Sequence, residues 1–206
     1  MAEWRPWLRR GICAVLIVLA VYWLFSSGDI RHPPGVLVPE EPLQVMLQDR
    51  KPWTRNGCQI TPLAEFDIRA RVLSKARYYM GRETELSPLD LVLGWGPLSD
   101  QEVVDKLSIS QSGRWFEWRA RKLPLPPSEV ACHCANMHMI PATPAVESAL
   151  SSLRRGSIVR LQGYLVAVEG SNGWKWRSSL ARDDGGNGSC EIVWVRSVED
   201  LTCNHP

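Results

Sequence analysis

TPAVESALSSLRRGSIVRLQGYLVAVE, residues 143–169, is the stretch from which the rest of the chain is best read. Thr143 can cap a helix by accepting from a free backbone N–H, and Pro144 suits the first helical position, where no donor is required. Val146, Ala149, Leu150 and Leu153 recur at helical spacing and share one face. Arg154 and Arg155 in the last turn favour the helix dipole, and Gly156 can close the helix in the left-handed conformation. From Ser157 to Glu169 the period changes to two. Val159, Leu161, Leu165 and Ala167 fall on one side, Arg160 and Gln162 on the other. Gly163 in the middle predicts a bend or bulge.

Further elements follow on either side. Phe66, Ile68, Ala70 and Val72 alternate with Asp67, Arg69 and Arg71, which predicts a half-buried strand. Residues 89–95 form a second apolar stretch. Ser99 and Glu102 have capping-box spacing ahead of Val103, Val104 and Leu107, predicting a short helix. Residues 114–123 and 129–138 read as strands parted by the proline-rich turn 124–127. Residues 174–180 and 190–196 read as two closing strands around a glycine-rich loop. The fold class expected is mainly β with one or two helices.

Strands, one well-capped helix, a long bent strand and a closing hairpin together resemble the OB-fold, a small Greek-key β-barrel with its helix between the third and fourth strands. The segment RGSIVRLQGYL, residues 155–165, looks like the fourth strand of such domains. The resemblance covers about residues 64–197, with one or two strands more than the usual five. It implies a binding face on strands two and three with the adjoining loops. The phrases GWGPLSD (94–100), QSGRW (111–115), NMHMIPA (136–142) and SSLARDDGGNGSCE (178–191) also resemble a group of uncharacterised bacterial membrane-anchored proteins, which implies no known activity.

The N-terminus predicts where the chain works. GICAVLIVLAVYWLF, residues 11–25, carries no charge and follows Arg5, Arg9 and Arg10. An apolar run behind a basic cluster is read as a signal or an anchor whose basic end stays in the cytoplasm. Fifteen residues at ~1.5 Å each span about 22 Å, so residues 26–28 would complete the crossing. Ser26 and Gly28 also fit a cleavage site loosely. Trp4, Trp7, Tyr22, Trp23 and Phe25 favour a retained anchor with aromatic belts. The expected organisation is a cytoplasmic tail 1–10, an anchor 11–28 and a proline-rich stalk or loosely packed lead-in 29–62. An extracytoplasmic β-barrel domain 63–200 and a tail 201–206 complete it. The location is then the inner (plasma) membrane, single-pass, with the C-terminal domain periplasmic.

Setting aside Arg5, Arg9, Arg10 and Glu3 from 24 basic and 22 acidic residues leaves 21 of each. A neutral domain lacks the broad positive field of a dedicated nucleic-acid binder. Cys13 lies in the apolar run, and the five remaining cysteines (Cys58, Cys132, Cys134, Cys190, Cys203) cannot all pair with one another.

Three groups of residues suggest chemistry. Cys132, Cys134 and His138 offer thiolate and imidazole donors for Zn or Cu, although no zinc spacing is matched; small buried cysteines in a strand are the plainer reading. His138, Glu191 and Asp184 contain the parts of an acid–base pair, and Ser179, His138 and Asp184 those of a hydrolase triad, but no nucleophile elbow accompanies them. Asp184 lies in a loop that fails the calcium spacing and reads as a hairpin turn. Arg114, Trp115, Trp118, Arg119, Trp176 and Arg177 place cations beside aromatic faces, suited to stacking on a partner or to rimming a barrel. The expectation is a cofactor-free docking module for an envelope protein or glycan. The alternative is an envelope enzyme or metal-handling protein.

Overall fold

The computed structural model describes residues 28–181 and 190–204, with Gly11 and Cys13. The proposed anchor, apart from Gly11, Cys13 and Gly28, lies outside the described residues, as do Arg182 and Asp184. No helix among the described residues is long and apolar enough to cross a membrane.

Between residues 28 and 204, among the described residues, the molecule is mainly β, with three α-helices and a large sheet. Ten strands run in chain order: β1 (Leu43–Met46), β2 (Trp53–Arg55), β3 (Cys58–Arg77), β4 (Leu89–Gly94), β5 (Ser108–Ser112), β6 (Trp115–Arg119), β7 (Cys134–Pro141), β8 (Ile158–Gly170), β9 (Lys175–Arg177) and β10 (Glu191–Asp200). The helices are α1 (Gln101–Val104), α2 (Pro127–Cys132) and α3 (Pro144–Ser152). Strands β5 and β6 form a separate hairpin, and the other eight share one sheet.

Pairing in that sheet closes on itself. β3 pairs antiparallel with β4, β4 with β7, β7 parallel with β10, β10 antiparallel with β8, and β8 with β3 again. β3 is 20 residues long because it serves two neighbours in the circuit, residues 58–71 pairing with β8 and residues 71–77 with β4, while β1 and β2 also pair along it. All five strands of this circuit send side chains into one apolar cluster, including Phe66, Ile68, Leu91, Met137, Leu161 and Val193. α3 adds Val146 and Leu150.

The helix and strand of the opening stretch form as their residues dictate. Thr143 Oγ1 accepts from Val146 N at 3.2 Å, with Pro144 in the first position. The helix stops at Ser152, one turn before the arginines, because Leu153 is extended. Lys75 Nζ, reaching across from β3, donates to the carbonyls of Ser151 and Leu153 and satisfies the helix end instead. Gly163 lies so close to β10 that an added Cβ would meet Trp194 O at 1.8 Å. The ladder slips opposite it, between Val195 and Ser197, which is the bulge the glycine predicts.

Two stretches differ from their expected form. Residues 29–62 contain strands β1 and β2 and the start of β3, and Val38 is buried against the main cluster. Pro33, Pro34, Pro39 and Pro42 precede β1, Pro52 precedes β2 and Pro62 stands at the register shift between Pro62 and Ala64, while Asn56-Gly57 makes a tight turn joining β2 to β3. Residues 129–138 are not one strand. Pro126-Pro127 opens helix α2, and the strand begins only at Cys134.

Candidate binding surface

β4 and β7 lie side by side, with Asp90 directly opposite His138. Alternation sends Leu89, Leu91 and Leu93 into the main cluster and turns Asp90 and Val92 to the other face. That second face is covered by the segment 95–133, which joins β4 to β7. Its β5–β6 hairpin lies over Val92 and Cys134, packing Ile109, Phe116 and Trp118 against a second apolar cluster. The second face of β4 and β7 is therefore occupied by the chain's own insertion.

Arg114 fastens the cover. It sits in the two-residue turn between β5 and β6 with φ +72°, left-handed backbone that a non-glycine residue adopts at a cost. Its guanidinium donates to Asp90 Oδ1 at 2.8 Å, Ser87 O at 2.8 Å and Thr84 Oγ1 at 3.1 Å, and lies 4.0 Å from the Tyr78 ring centre. The second oxygen of Asp90 meets His138 Nδ1 at 3.0 Å. Asn136 donates to Arg114 O at 3.0 Å and accepts from Gln111 at 2.8 Å. Trp176 covers the His138 ring at 4.9 Å between centres. Asp90 and His138 are both buried. Burial pushes the Tyr78 hydroxyl upward, with the Asp90 charge adding to it.

Of the remaining acid–base and metal candidates, Glu191 lies near enough to Cys134 for its charge to act on the thiol, and Asp184 lies outside the described residues. His138 meets Asp90, an aspartate not among the expected partners. Its only signal in the sequence is a single carboxylate inside the apolar run LDLVLG. Glu191 opens β10 opposite Met137 and is buried. Ser179 is buried too, in a turn with Ala181. Cys132 is exposed at the end of α2, whereas Cys134 is buried and donates its thiol to Val130 O at 3.1 Å. Burial, helped by the Glu191 charge, pushes that thiol up to about 12, which makes it a poor nucleophile at neutral pH. Among the described residues no three His, Cys, Asp or Glu side chains are grouped closely enough to hold an ion.

Of the aromatic and arginine residues singled out from sequence, Arg114, Trp118 and Trp176 face inward. Trp115 is exposed on the hairpin, Arg119 pairs with Glu117 at 2.9 Å, and Arg177 is exposed on β9. A different aromatic group lies on the outer face of β2, β8 and β10. Trp194 and Tyr164 are cross-strand partners, and Trp53 packs its ring edge-on against Trp194 at 5.1 Å. Arg55 lies over Trp194 and Arg196 over Tyr164, at 5.5 and 5.6 Å. Arg196 also donates to Tyr164 Oη at 3.1 Å.

Beside Tyr164 and Arg196 runs an open groove of about 360 Å³ across β1, β3, β8 and β10. Leu43 and Val45 form one wall, both exposed, and Glu65, Asp67 and Gln162 line its length. Asp67 accepts from Arg160 at 3.0 and 2.7 Å and from Gln162 at 2.7 Å. The Arg160 hydrogen bonds hold its carboxyl below the ordinary range, against the opposing effect of partial burial, and Gln162 assists. The groove thus sets the Tyr164 ring beside planar polar groups, with Trp194 and Trp53 next to Tyr164 and outside its lining. Comparison with family models, with curated proteins and with solved structures gives no match to this chain.

Proposed function

We propose that this chain is a non-enzymatic binding module, anchored in the plasma membrane by residues 11–28 and working outside the cytoplasm, which docks a glycan or protein partner in the groove beside Tyr164 and Arg196. Its scaffold reads as an OB-like Greek-key barrel. Support for that comes from the returning circuit β3–β4–β7–β10–β8 and from α3 lying between the third and fourth strands of the circuit. The apolar run behind three arginines supports the anchor.

One observation carries the docking role: Asp90, His138 and Glu191 are buried, with Arg114 of the β5–β6 turn fastened onto Asp90, while the groove beside Tyr164 and Arg196 is open. Partly buried Tyr164 lines the groove with Trp194 and Trp53 beside it, and Glu65, Asp67, Gln162 and Arg196 offer planar hydrogen-bonding groups. Aromatic platforms edged by such groups suit sugar rings, whose faces are apolar and whose hydroxyls lie at the rim. This favours a glycan over a protein.

The test is binding of the full-length, detergent-solubilised chain to solubilised cell-wall glycan fragments. Tyr164→Ala and Trp194→Ala should each weaken binding by about tenfold or more. Trp115→Ala, on the exposed hairpin, should leave it unchanged. Retention of full affinity in both groove variants would remove the groove from consideration, and loss in Trp115→Ala would move the site to the hairpin.

A further inference from the structure

A second groove, of about 770 Å³, lies between the end of α1 and the segment following β6. Its charged lining is Asp105, Lys106, Arg119, Arg121 and Lys122, and exposed Leu123 adds apolar surface. The single carboxylate is already engaged: Asp105 accepts from Arg31 at 2.6 Å and from Gln101 at 2.8 Å, and the Arg31 hydrogen bond holds its carboxyl low. Arg119 pairs with Glu117 in full solvent, a contact worth little. Among the described residues no carboxylate pairs with Lys106, Arg121 or Lys122. The groove therefore offers a surplus of positive charge next to an apolar side chain.

Its place in the fold narrows what it faces. The chain enters the domain beside it. Asp29 meets Arg155 at 3.4 Å, Ile30 N donates to Arg155 O at 2.8 Å, and Arg31 is held by Asp105, on the groove's own rim. In sequence, Asp29 follows the apolar run ending at Phe25 by four residues, a reach of at most about 14 Å. A headgroup layer is roughly 5–7 Å deep on each side of the hydrocarbon. A cationic groove tied to a tether that short is presented to the bilayer surface.

We propose that this groove seats the headgroup of an anionic phospholipid, with Lys106, Arg121 and Lys122 taking the phosphate charge and Leu123 meeting the acyl boundary. The assignment rests on the anchor reading above. Attraction of this kind acts within about 8 Å at physiological salt, so it requires the short tether and disappears at high ionic strength.

The experiment uses the full-length chain reconstituted in nanodiscs of phosphatidylcholine, with and without phosphatidylglycerol, and reads amide hydrogen exchange across residues 119–124. Phosphatidylglycerol should slow exchange there by about tenfold, and high salt or a combined Lys106→Gln, Arg121→Gln, Lys122→Gln variant should abolish the effect. These positions are exposed, so the variant should keep its thermal midpoint. Equal exchange in both kinds of disc, from a chain that has inserted, overturns the headgroup site alone. Equal slowing by soluble glycerophosphate in neutral discs assigns the groove to a free phosphate and overturns the lipid. A chain that remains outside the discs overturns the anchor reading and this proposal together.

Discussion

Asp90 is the residue on which the cover depends. Its carboxylate lies fully out of solvent between Arg114 and His138, and the guanidinium is its strongest ionic partner. Removing one member of a buried ion pair leaves the other charge unsolvated, at a cost of about 3–5 kcal/mol. Arg114→Ala should accordingly lower unfolding stability by about 3 kcal/mol in a denaturant titration, since the arginine retains some exposure. The double variant Asp90→Asn, Arg114→Met should recover part of the loss, because no lone charge then remains. If Arg114→Ala instead unfolds at the wild-type denaturant concentration, the network does not hold the hairpin. Periodicity cannot find such a residue. It treats Asp90 as a break in an apolar run, and the partner that explains it lies 24 positions away on a different element.

At the scale of elements, α3 shows how side chains from elsewhere finish what local sequence begins. Its start is written in Thr143 and Pro144, and its end is held by Lys75 from β3. Burial pushes the Lys75 amine down, with Arg77 adding to the effect, while the amine donates to the carbonyls of Ser151 and Leu153 at the helix end. Lys75→Met should cost about 0.5–1 kcal/mol and speed amide exchange in the last turn of α3, with its first turn unaffected. Uniform exchange along α3 in the variant would contradict that role. The helix start, β8 and the Gly163 bulge were legible in the sequence because caps, period and a missing side chain are local signals. Strand β2 was legible in principle, since Asn56-Gly57 is a strong hairpin signal, but the surrounding prolines hid it. Residues 129–138 misled because Val130, Cys132 and Cys134 alternate like a strand, while Pro126-Pro127 starts a helix. The groove was not legible: β1, β3, β8 and β10 are brought together only by the circuit of pairings.

At the scale of the whole molecule, acid should loosen the seam between β3 and β8. Asp67 links them through Arg160 and Gln162, and its folded carboxyl lies below the ordinary value of 3.8. The unfolded chain therefore binds this proton first as pH falls, so the contribution is complete above that value and is lost as pH drops through the lowered one. Asp67→Asn should flatten the acid side of a plot of unfolding midpoint against pH and leave the neutral region nearly unchanged, as befits a half-exposed pair. An identical acid limb in the variant would assign the acid sensitivity to other carboxylates.

The double duty of β3 also bears on how the polypeptide is made. Cys58 pairs with Gly170 and Arg71 with Ile158, so residues 58–71 of the 20-residue ribbon wait for 87 to 112 further residues before their principal neighbour exists. Until the ribosome has released β8, that ribbon has an open edge able to join any other extended chain. The newborn protein is most vulnerable to clumping in this interval, and its maturation should be paced by the arrival of its C-terminal third.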